Sequence, residues 1–380
     1  MATQADTKTL LEVNDLSVDY LAANGAVHAV RNVNFRLGRG EILGLAGESG
    51  CGKSTLAYAV ARLLRPPAYI TGGEVLYYAG ARTDGSTRLP RHVRATDARG
   101  AIDVLQLSPR DLREFRWNEL SIVFQSAMNA LNPVMTVGNQ IMDVLATHRR
   151  NMKADARKRR AAELFEMVGI APDRLKSYPH ELSGGMRQRA VIAIALALQP
   201  ELIIMDEPTT ALDVVVQREI LQLISSLCKE LSTALIFITH DLSLLIELAD
   251  NVAIMYAGKM VEKAKSSDIY LHPRHPYSYG LLNSFPTLHG PQRIMVGIPG
   301  SPPDLRTLAE GCSFRDRCPF AFESCNHITP PLSPAVRATP DQLAACHLYN
   351  PALSSPAPAT QDLASGYENL AQRSVGGSIE

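Results

Sequence analysis

The residues with the clearest chemistry lie between Gly47 and Thr55. There Gly47-Glu48-Ser49-Gly50-Cys51-Gly52-Lys53-Ser54-Thr55 fits G-x-x-x-x-G-K-[ST], a phosphate-binding loop. Glycine tolerates positive φ and close backbone approach, so successive N–H groups can turn inward around a phosphate. Lys53 is expected to reach the β/γ-phosphates, and the Ser54 hydroxyl to hold Mg²⁺. Gly47, Ser49, Gly50, Cys51, Gly52, Lys53, Ser54 and Thr55 are therefore candidate nucleotide-binding residues. A second anion site is legible at Leu182-Ser183-Gly184-Gly185-Met186, where Ser183 stands at the N-cap position of an Ala/Leu-rich run. Two polar pairs, Asp206-Glu207 and His240-Asp241, follow short apolar runs. Cys312, Cys318, Cys325 and Cys346 fall in one stretch, spaced C-x5-C-x6-C-x20-C. In a cytosolic chain four such thiols read as metal ligands rather than disulfides, for tetrahedral Zn²⁺ or an Fe–S cluster. The absence of C-x-x-C counts against a zinc finger, and four thiols packed as small apolar groups is the alternative. Cys51 and Cys228 read as incidental to any metal.

The elements that must position these groups alternate strand and helix. Ile42 to Ala46 reads as a buried strand before the loop, and Ser54 to Leu64 as the helix after it, with Leu56, Val60, Leu63 and Leu64 at helical spacing. Leu10 to Tyr20 and Val27 to Leu37 read as strands around an Asn24-Gly25 turn, and Gly73 to Tyr78 as another. Arg82 to Arg99 reads as a polar surface loop. Leu120 to Phe124 is a short strand ending at Gln125. Ile141 to Ser177 reads as helical and charged, a solvated face. The Ala/Leu-rich helix after Ser183 is stopped by Pro200. Leu202 to Met205 and Ala234 to Thr239 are buried strands ending in the two polar pairs, and Ile220 to Leu231 is a helix. Polar residues at the carboxyl ends of alternating strands indicate a parallel α/β sheet with its site at that edge.

Bulk properties set limits. The chain has 380 residues, 46% hydrophobic and 20% charged, which suits two domains or one domain with an extension. The formal net charge is zero, so no global basic field argues for nucleic acid. The longest apolar run, Ala190 to Leu198, is shorter than the ~20 residues of a membrane helix. The N-terminus lacks a basic region followed by an apolar core, so a cytoplasmic chain is expected, reaching membranes only through partners.

The order phosphate loop, Gln125, Leu182-Ser183-Gly184-Gly185-Met186, Met205-Asp206-Glu207-Pro208, Ala211-Leu212-Asp213 and His240 resembles the nucleotide-binding subunit of an ABC transporter. The resemblance runs from about Leu10 to about Lys263. It implies an α/β P-loop NTPase fold: an ABC cassette at 1–265, with a mixed sheet core, an antiparallel β subdomain and a helical subdomain at about 126–200. It further implies a head-to-tail dimer of such subunits, identical or homologous, with ATP between the phosphate loop of one and the signature around Ser183, Gly184 and Gly185 of the other. Asp206 resembles the aspartate supporting Mg²⁺, and Glu207 the carboxylate that polarises the attacking water. His240 resembles the switch histidine at the γ-phosphate, and Gln125 the residue sensing Mg²⁺ and contacting the membrane subunits. Asp213 resembles the residue linking the two sites, and Tyr20 is at the position of the aromatic that stacks on adenine. Catalysis thus falls to Glu207, His240 and Lys53, and Mg²⁺ to Ser54, Gln125 and Asp206.

After Lys263 the character changes. His272-Pro273-Arg274-His275-Pro276-Tyr277-Ser278-Tyr279, Ile298-Pro299-Gly300-Ser301-Pro302-Pro303 and the four cysteines resemble the C-terminal region of ATP-binding subunits from dipeptide/oligopeptide importers. Importers of nickel and other small solutes share it. Asn129-Ala130-Leu131-Asn132-Pro133 fits the same subfamily. The resemblance assigns 266–350 to this extension and favours a [4Fe–4S] cluster at the cysteines over Zn²⁺. It implies an importer ATPase peripheral to the cytoplasmic face of the inner or plasma membrane, with a second ATP-binding subunit and two permease subunits. An extracytoplasmic solute-binding protein would act indirectly. Residues 351–380, rich in Ser, Pro, Ala and Gln, are expected to be disordered. Two competing classes are a soluble ABC-type ATPase acting on ribosomes or DNA, and a redox or metal sensor in which ATP is regulatory. A single cassette without a sustained heptad run counts against the first.

Overall fold

The computed structural model describes residues 8–23, 25–80, 100–210, 212–284, 297–308, 310–350, 353 and 357–367. Asn24 of the expected turn, the 82–99 loop and Ala211 lie outside the described residues.

The chain opens with two long antiparallel strands, β1 (Thr9–Ala22) and β2 (Gly25–Gly38). Strand β3 (Ile42–Ala46) leads through the phosphate loop into helix α1 (Lys53–Val60). Strands β4 (Ala68–Tyr78) and β5 (Ala101–Asp103) complete a four-stranded antiparallel sheet in the order β2-β1-β4-β5. Helix α2 (Pro109–Asn118), strand β6 (Leu120–Val123) and helices α3 (Val137–His148), α4 (Ala154–Met167) and α5 (Gly184–Ala195) follow. Then come β7 (Leu202–Asp206), α6 (Val214–Leu231), β8 (Ala234–Ile238), α7 (Leu242–Leu248), β9 (Asn251–Tyr256) and β10 (Lys259–Lys265). Helices α8 (Ser266–Leu271) and α9 (Pro276–Leu282) and the short strands β11 (Ser333–Pro334) and β12 (Leu343–Ala344) belong to the extension.

The larger sheet has the order β11-β12-β10-β9-β3-β8-β7-β6. Its five strands from β9 to β6 are parallel, and β10 and the extension strands add antiparallel pairs. The sheet is therefore mixed. Strand alternation divides its side chains between two cores. Ile203, Met205, Leu235 and Phe237 face the helical side, whereas Leu202, Ile204, Ile236 and Ile238 face the antiparallel sheet. Burial on both faces explains why these strands read as unbroken apolar runs.

Several element limits differ from the sequence expectation. Helix α1 ends at Val60, because Arg62 takes φ 51° and its guanidinium donates to the Val104 and Leu107 carbonyls. The charged stretch from Ile141 is two helices, α3 and α4, followed by a 3₁₀ turn at Pro172–Lys176. Helix α5 stops at Ala195, and Gln199 turns the chain at φ 54° before Pro200. Helix α6 starts at Val214, where Asp213 caps it, ahead of the expected Ile220. Of the tail expected to be disordered, residues 353 and 357–367 are described, and the others lie outside the described residues. Residues 360–367 form a helix whose Leu363 and Tyr367, one turn apart, are buried. The Tyr367 hydroxyl donates to the Pro276 carbonyl at 2.8 Å, and its ring stacks on Tyr279. Residues four apart share one face of a helix, so both side chains meet the same surface.

Candidate functional site

Strand β3 delivers Gly47 at the sheet edge, and the loop that follows takes positive φ at Gly47 (146°), Gly50 (79°) and Gly52 (107°). Space forbids side chains as well. A Cβ on Gly47 would lie 2.3 Å from the Met255 carbonyl oxygen, and one on Gly52 would lie 2.2 Å from that of Ala29. Gly52 caps α1 without a side-chain acceptor, so the first N–H groups of the helix remain available to an anion. Lys53 is buried, and its ammonium donates to the Gly47 carbonyl at 2.7 Å and the Glu48 carbonyl at 2.9 Å. It is thereby folded across the loop. Cys51 is packed under it; burial pushes the thiol up and Lys53 opposes this. Ser49 and Gly50 are exposed at the rim. Tyr20 and Thr55 share a hydrogen bond of 3.0 Å between their hydroxyls, which fixes Tyr20 beside the loop.

The carboxylates arrive on β7. Asp206 is fully buried, and its Oδ1 accepts from the Ser54 hydroxyl at 3.0 Å, so the strand end and the phosphate loop meet directly. Burial raises its pKa, while the Ser54 hydroxyl that it accepts from and the neighbouring Tyr58 phenol oppose the rise. Oδ2 is buried with no hydrogen-bond partner. A desolvated carboxylate with an orphaned oxygen beside a hydroxyl fits a hard cation such as Mg²⁺. Tyr58, which the sequence did not single out, has its phenol pushed up to about 12 by burial and then by Asp206.

Glu207, next along, takes φ 46°, left-handed for a side-chain-bearing residue, and its N–H is tied to the Ile238 carbonyl at 2.9 Å. Strained backbone of this kind concentrates at functional sites. The Glu207 carboxylate gathers three side chains: Gln125 Nε2 donates at 3.1 Å, Thr210 Oγ1 at 3.2 Å, and His240 Nδ1 lies at 3.3 Å. Gln125, expected beside Mg²⁺, is thus engaged with Glu207. Thr210 was missed, although it stands in the same Glu207-Pro208-Thr209-Thr210 turn.

The other expected residues occupy helix ends. Ser183 caps α5, its hydroxyl accepting from the Met186 N–H at 3.3 Å, with Gly184 and Gly185 opening the helix. Asp213 caps α6 through the Val216 N–H at 3.0 Å. No hydrogen bond links either residue to the phosphate loop among the described residues.

The four clustered cysteines draw together without forming a ligand set. Cys312 N–H donates to the Cys325 carbonyl at 2.8 Å. Burial, reinforced by neighbouring cysteine sulfurs, pushes the Cys312, Cys318 and Cys346 thiols up, Cys318 to about 12. Among the described residues no group of three or more His, Cys, Asp or Glu side chains is placed to hold a metal ion. The expected ligand set is corrected to that extent. Protonated thiols pack as small apolar groups, and Cys312 and Cys318 lie against the main core. No helix among the described residues is long and apolar enough to cross a membrane.

Comparison with known proteins agrees with this geometry. The ABC transporter family profile matches residues 30–210, and the profile of the oligopeptide/dipeptide transporter C-terminal region matches residues 261–325. The chain is 44% identical to the oligopeptide transport ATP-binding protein OppD of Bacillus subtilis, over 85% of either chain. It is 43% identical to the protein of the same name from Salmonella typhimurium, over 91% of this chain and 96% of that one. Among solved structures, it is similar to a dimeric ATP-binding cassette in a post-hydrolysis state bound to ADP and Pi. That likeness has a TM-score of 0.55 and 26% identity, and covers 68% of this chain and 99% of that one.

Proposed function

This chain belongs to the ATP-binding subunits of ABC transporters, and we propose that it is the ATP-hydrolysing motor of an importer for dipeptides and oligopeptides. The observation that carries this reading is the meeting of Ser54 with Asp206 at 3.0 Å, which joins the phosphate loop to the Asp-Glu strand end. Ser54 and Asp206 would hold Mg²⁺, which offsets the charge of the polyphosphate when bound. Phosphoryl transfer to water needs positioning and charge stabilisation more than covalent help. Lys53 and the free N–H groups at the start of α1 provide the charge. Glu207 orients the attacking water, and the contacts from Gln125, Thr210 and His240 hold its carboxylate in place. The solute class is supported by the extension profile and by the names of the relatives.

Two such chains, or this chain and a homologue, pair head to tail, and Ser183, Gly184 and Gly185 serve the partner's ATP. What supports this is that each chain carries two separate helix N-termini able to take an anion, and that the similar cassette is dimeric. Two permease subunits place the motor on the cytoplasmic face of the membrane, and the solute-binding protein acts through them. At the four cysteines, Cys312, Cys318, Cys325 and Cys346 would be the thiolate ligands of a [4Fe–4S] cluster or Zn²⁺, were such a centre to be bound. What supports that reading is their clustering between Cys312 and Cys346, with the Cys312 N–H on the Cys325 carbonyl at 2.8 Å.

Glu207→Gln tests the hydrolytic assignment. The variant is expected to bind Mg-ATP like the parent and to turn over about a hundredfold or more slowly, the usual worth of a positioned general base. Near-normal turnover in the purified transporter complex would remove Glu207 from that role.

A further inference from the structure

The phosphate loop is gripped from outside the cassette. Glu48 is the loop's single acidic residue. Its carboxylate forms a two-point pair with Arg317 of the extension: Nη1 to Oε2 at 2.8 Å and Nη2 to Oε1 at 3.0 Å. The Arg317 side chain is only 7% exposed and is itself fixed. Its Nε donates to the Pro299 carbonyl at 2.7 Å, and its guanidinium lies 5.7 Å from the Tyr256 ring centre and 6.0 Å from that of Phe314. A second grip comes from Tyr277, whose hydroxyl accepts from the Glu48 N–H at 2.8 Å. Its ring packs on Tyr256 at 4.7 Å and on Phe314 at 5.4 Å. The third handle on Glu48 is its carbonyl, which takes the Lys53 ammonium. So the extension holds the main-chain N–H and the side chain of the residue whose carbonyl positions the phosphate-binding lysine.

We propose that Arg317, assisted by Tyr277, is a positioning residue for ATP binding. It fixes the loop at Glu48 and keeps the Glu48 carboxylate off the polyphosphate, so that docking of the extension sets nucleotide affinity. This rests on the reading of Gly47 to Thr55 as the ATP site. Two physical effects act together. A carboxylate released at the loop repels the phosphates, and a loop freed at Glu48 no longer presents Lys53 and the backbone donors in one arrangement. A bidentate, half-desolvated arginine–carboxylate pair is among the stronger side-chain contacts, and lysine cannot reproduce its fork.

The test measures Mg-ATP affinity by calorimetry, and KM and kcat for hydrolysis, in the transporter complex carrying Arg317→Ala, Arg317→Lys, Tyr277→Phe or Glu48→Gln with Arg317→Ala. Lys53→Ala serves as the reference for loss of binding. Arg317→Ala should weaken affinity and raise KM about tenfold, with kcat changed less than about twofold, the lower range for a charge-assisted pair. Arg317→Lys should fall between parent and Arg317→Ala. Tyr277→Phe, which keeps the ring in its cluster, should cost about threefold, the scale of one neutral hydrogen bond. The double variant should recover at least half of the Arg317→Ala loss on a logarithmic scale, because the unpaired carboxylate is gone. Affinity of Arg317→Ala within twofold of the parent would overturn the proposal. So would a parallel fall of KM-independent kcat and thermal stability with no recovery in the double variant. Were Arg317→Ala not to fold, the same limits applied to Arg317→Lys and Tyr277→Phe would decide. A parent chain that binds Mg-ATP no better than Lys53→Ala would instead overturn the ATP reading itself, and this proposal with it.

Discussion

Glu262 offers the sharpest test of how the extension is joined to the cassette. It lies on β10, fully buried, where Oε1 accepts from the Arg274 N–H at 2.7 Å and from Gln342 Nε2 at 2.9 Å. Oε2 is buried without a partner. Burial lifts its pKa from 4.5 to about 7, and the surrounding hydrogen bonds only partly oppose this. In the unfolded chain the carboxyl ionises near 4.5, and in the folded chain near 7. The neutral form is therefore favoured by folding, and its stabilisation is complete below pH 4.5 and lost as pH rises to about 7. At 1.36 kcal/mol per unit, the loss is about 3 kcal/mol. His275, also fully buried, works in the other direction: burial lowers its pKa from 6.5 to about 3, so its stabilisation is lost as pH falls through that range. Between pH 4.5 and 6.5 the two slopes cancel, and above that window Glu262 alone remains. Glu262→Gln keeps the Oε1 acceptor and removes the charge. Denaturant unfolding from pH 4.5 to 8 should show the variant gaining on the parent by up to about 3 kcal/mol at the alkaline end, less the cost of any unmet amide donor. Because the variant retains the His275 slope, its own stability should rise with pH up to about 6.5. Parent and variant curves that run parallel would mean that ionised Glu262 has a counter-charge, and the burial argument would fail.

Two further outcomes are open to measurement. Ser183→Ala should lose about 1 kcal/mol of its own chain's stability through the α5 cap, and in a mixed dimer should slow hydrolysis at the partner's phosphate loop; a defect confined to this chain's own ATP would contradict the head-to-tail arrangement. If the proposed metal centre forms, protein purified without oxygen or chelator should contain either about four iron and four sulfide per chain or stoichiometric zinc, whereas Cys312, Cys318, Cys325 and Cys346 titrating as free thiols would match their packing as protonated thiols and rule out both.

What was legible in the sequence was what local chemistry enforces. The glycines of the phosphate loop were readable because Gly47 and Gly52 must take positive φ where no Cβ fits. Strands β7 and β8 were readable because burial on both faces leaves unbroken apolar runs ending at the polar pairs. The limits of α1 and α5 were not, since apolar spacing continues past the residues, Arg62 and Gln199, that take left-handed conformations. Helix α2 did carry a local signal, Ser108-Pro109 with Asp111, where the Ser108 hydroxyl accepts from the Asp111 N–H. So did the tail helix, in Leu363 and Tyr367. Glu48 with Arg317 had none, because the partners are 269 positions apart and only the fold unites them.

The position of the extension in the larger sheet gives that long-range pairing its consequence. Strand β12 pairs with β10 through Glu262 to Ala344 and Lys263 to Leu343, and β10 pairs with β9. Strand β9 lies beside β3, whose end becomes the phosphate loop, and the Met255 carbonyl of β9 abuts Gly47. The next residue, Tyr256, packs against Tyr277 with tilted rings and against Phe314 edge to face, both in the extension. The extension therefore reaches the loop by two routes, through the hydrogen-bonded strands and through the aromatic cluster that seats Arg317. A displacement of the extension cannot spare the loop, since one route ends on the carbonyl that crowds Gly47 and the other on Glu48 beside it. Sheet hydrogen bonds resist such movement more than an exposed linker would. An extension built in this way is a wall of the phosphate loop rather than an appendage to the cassette.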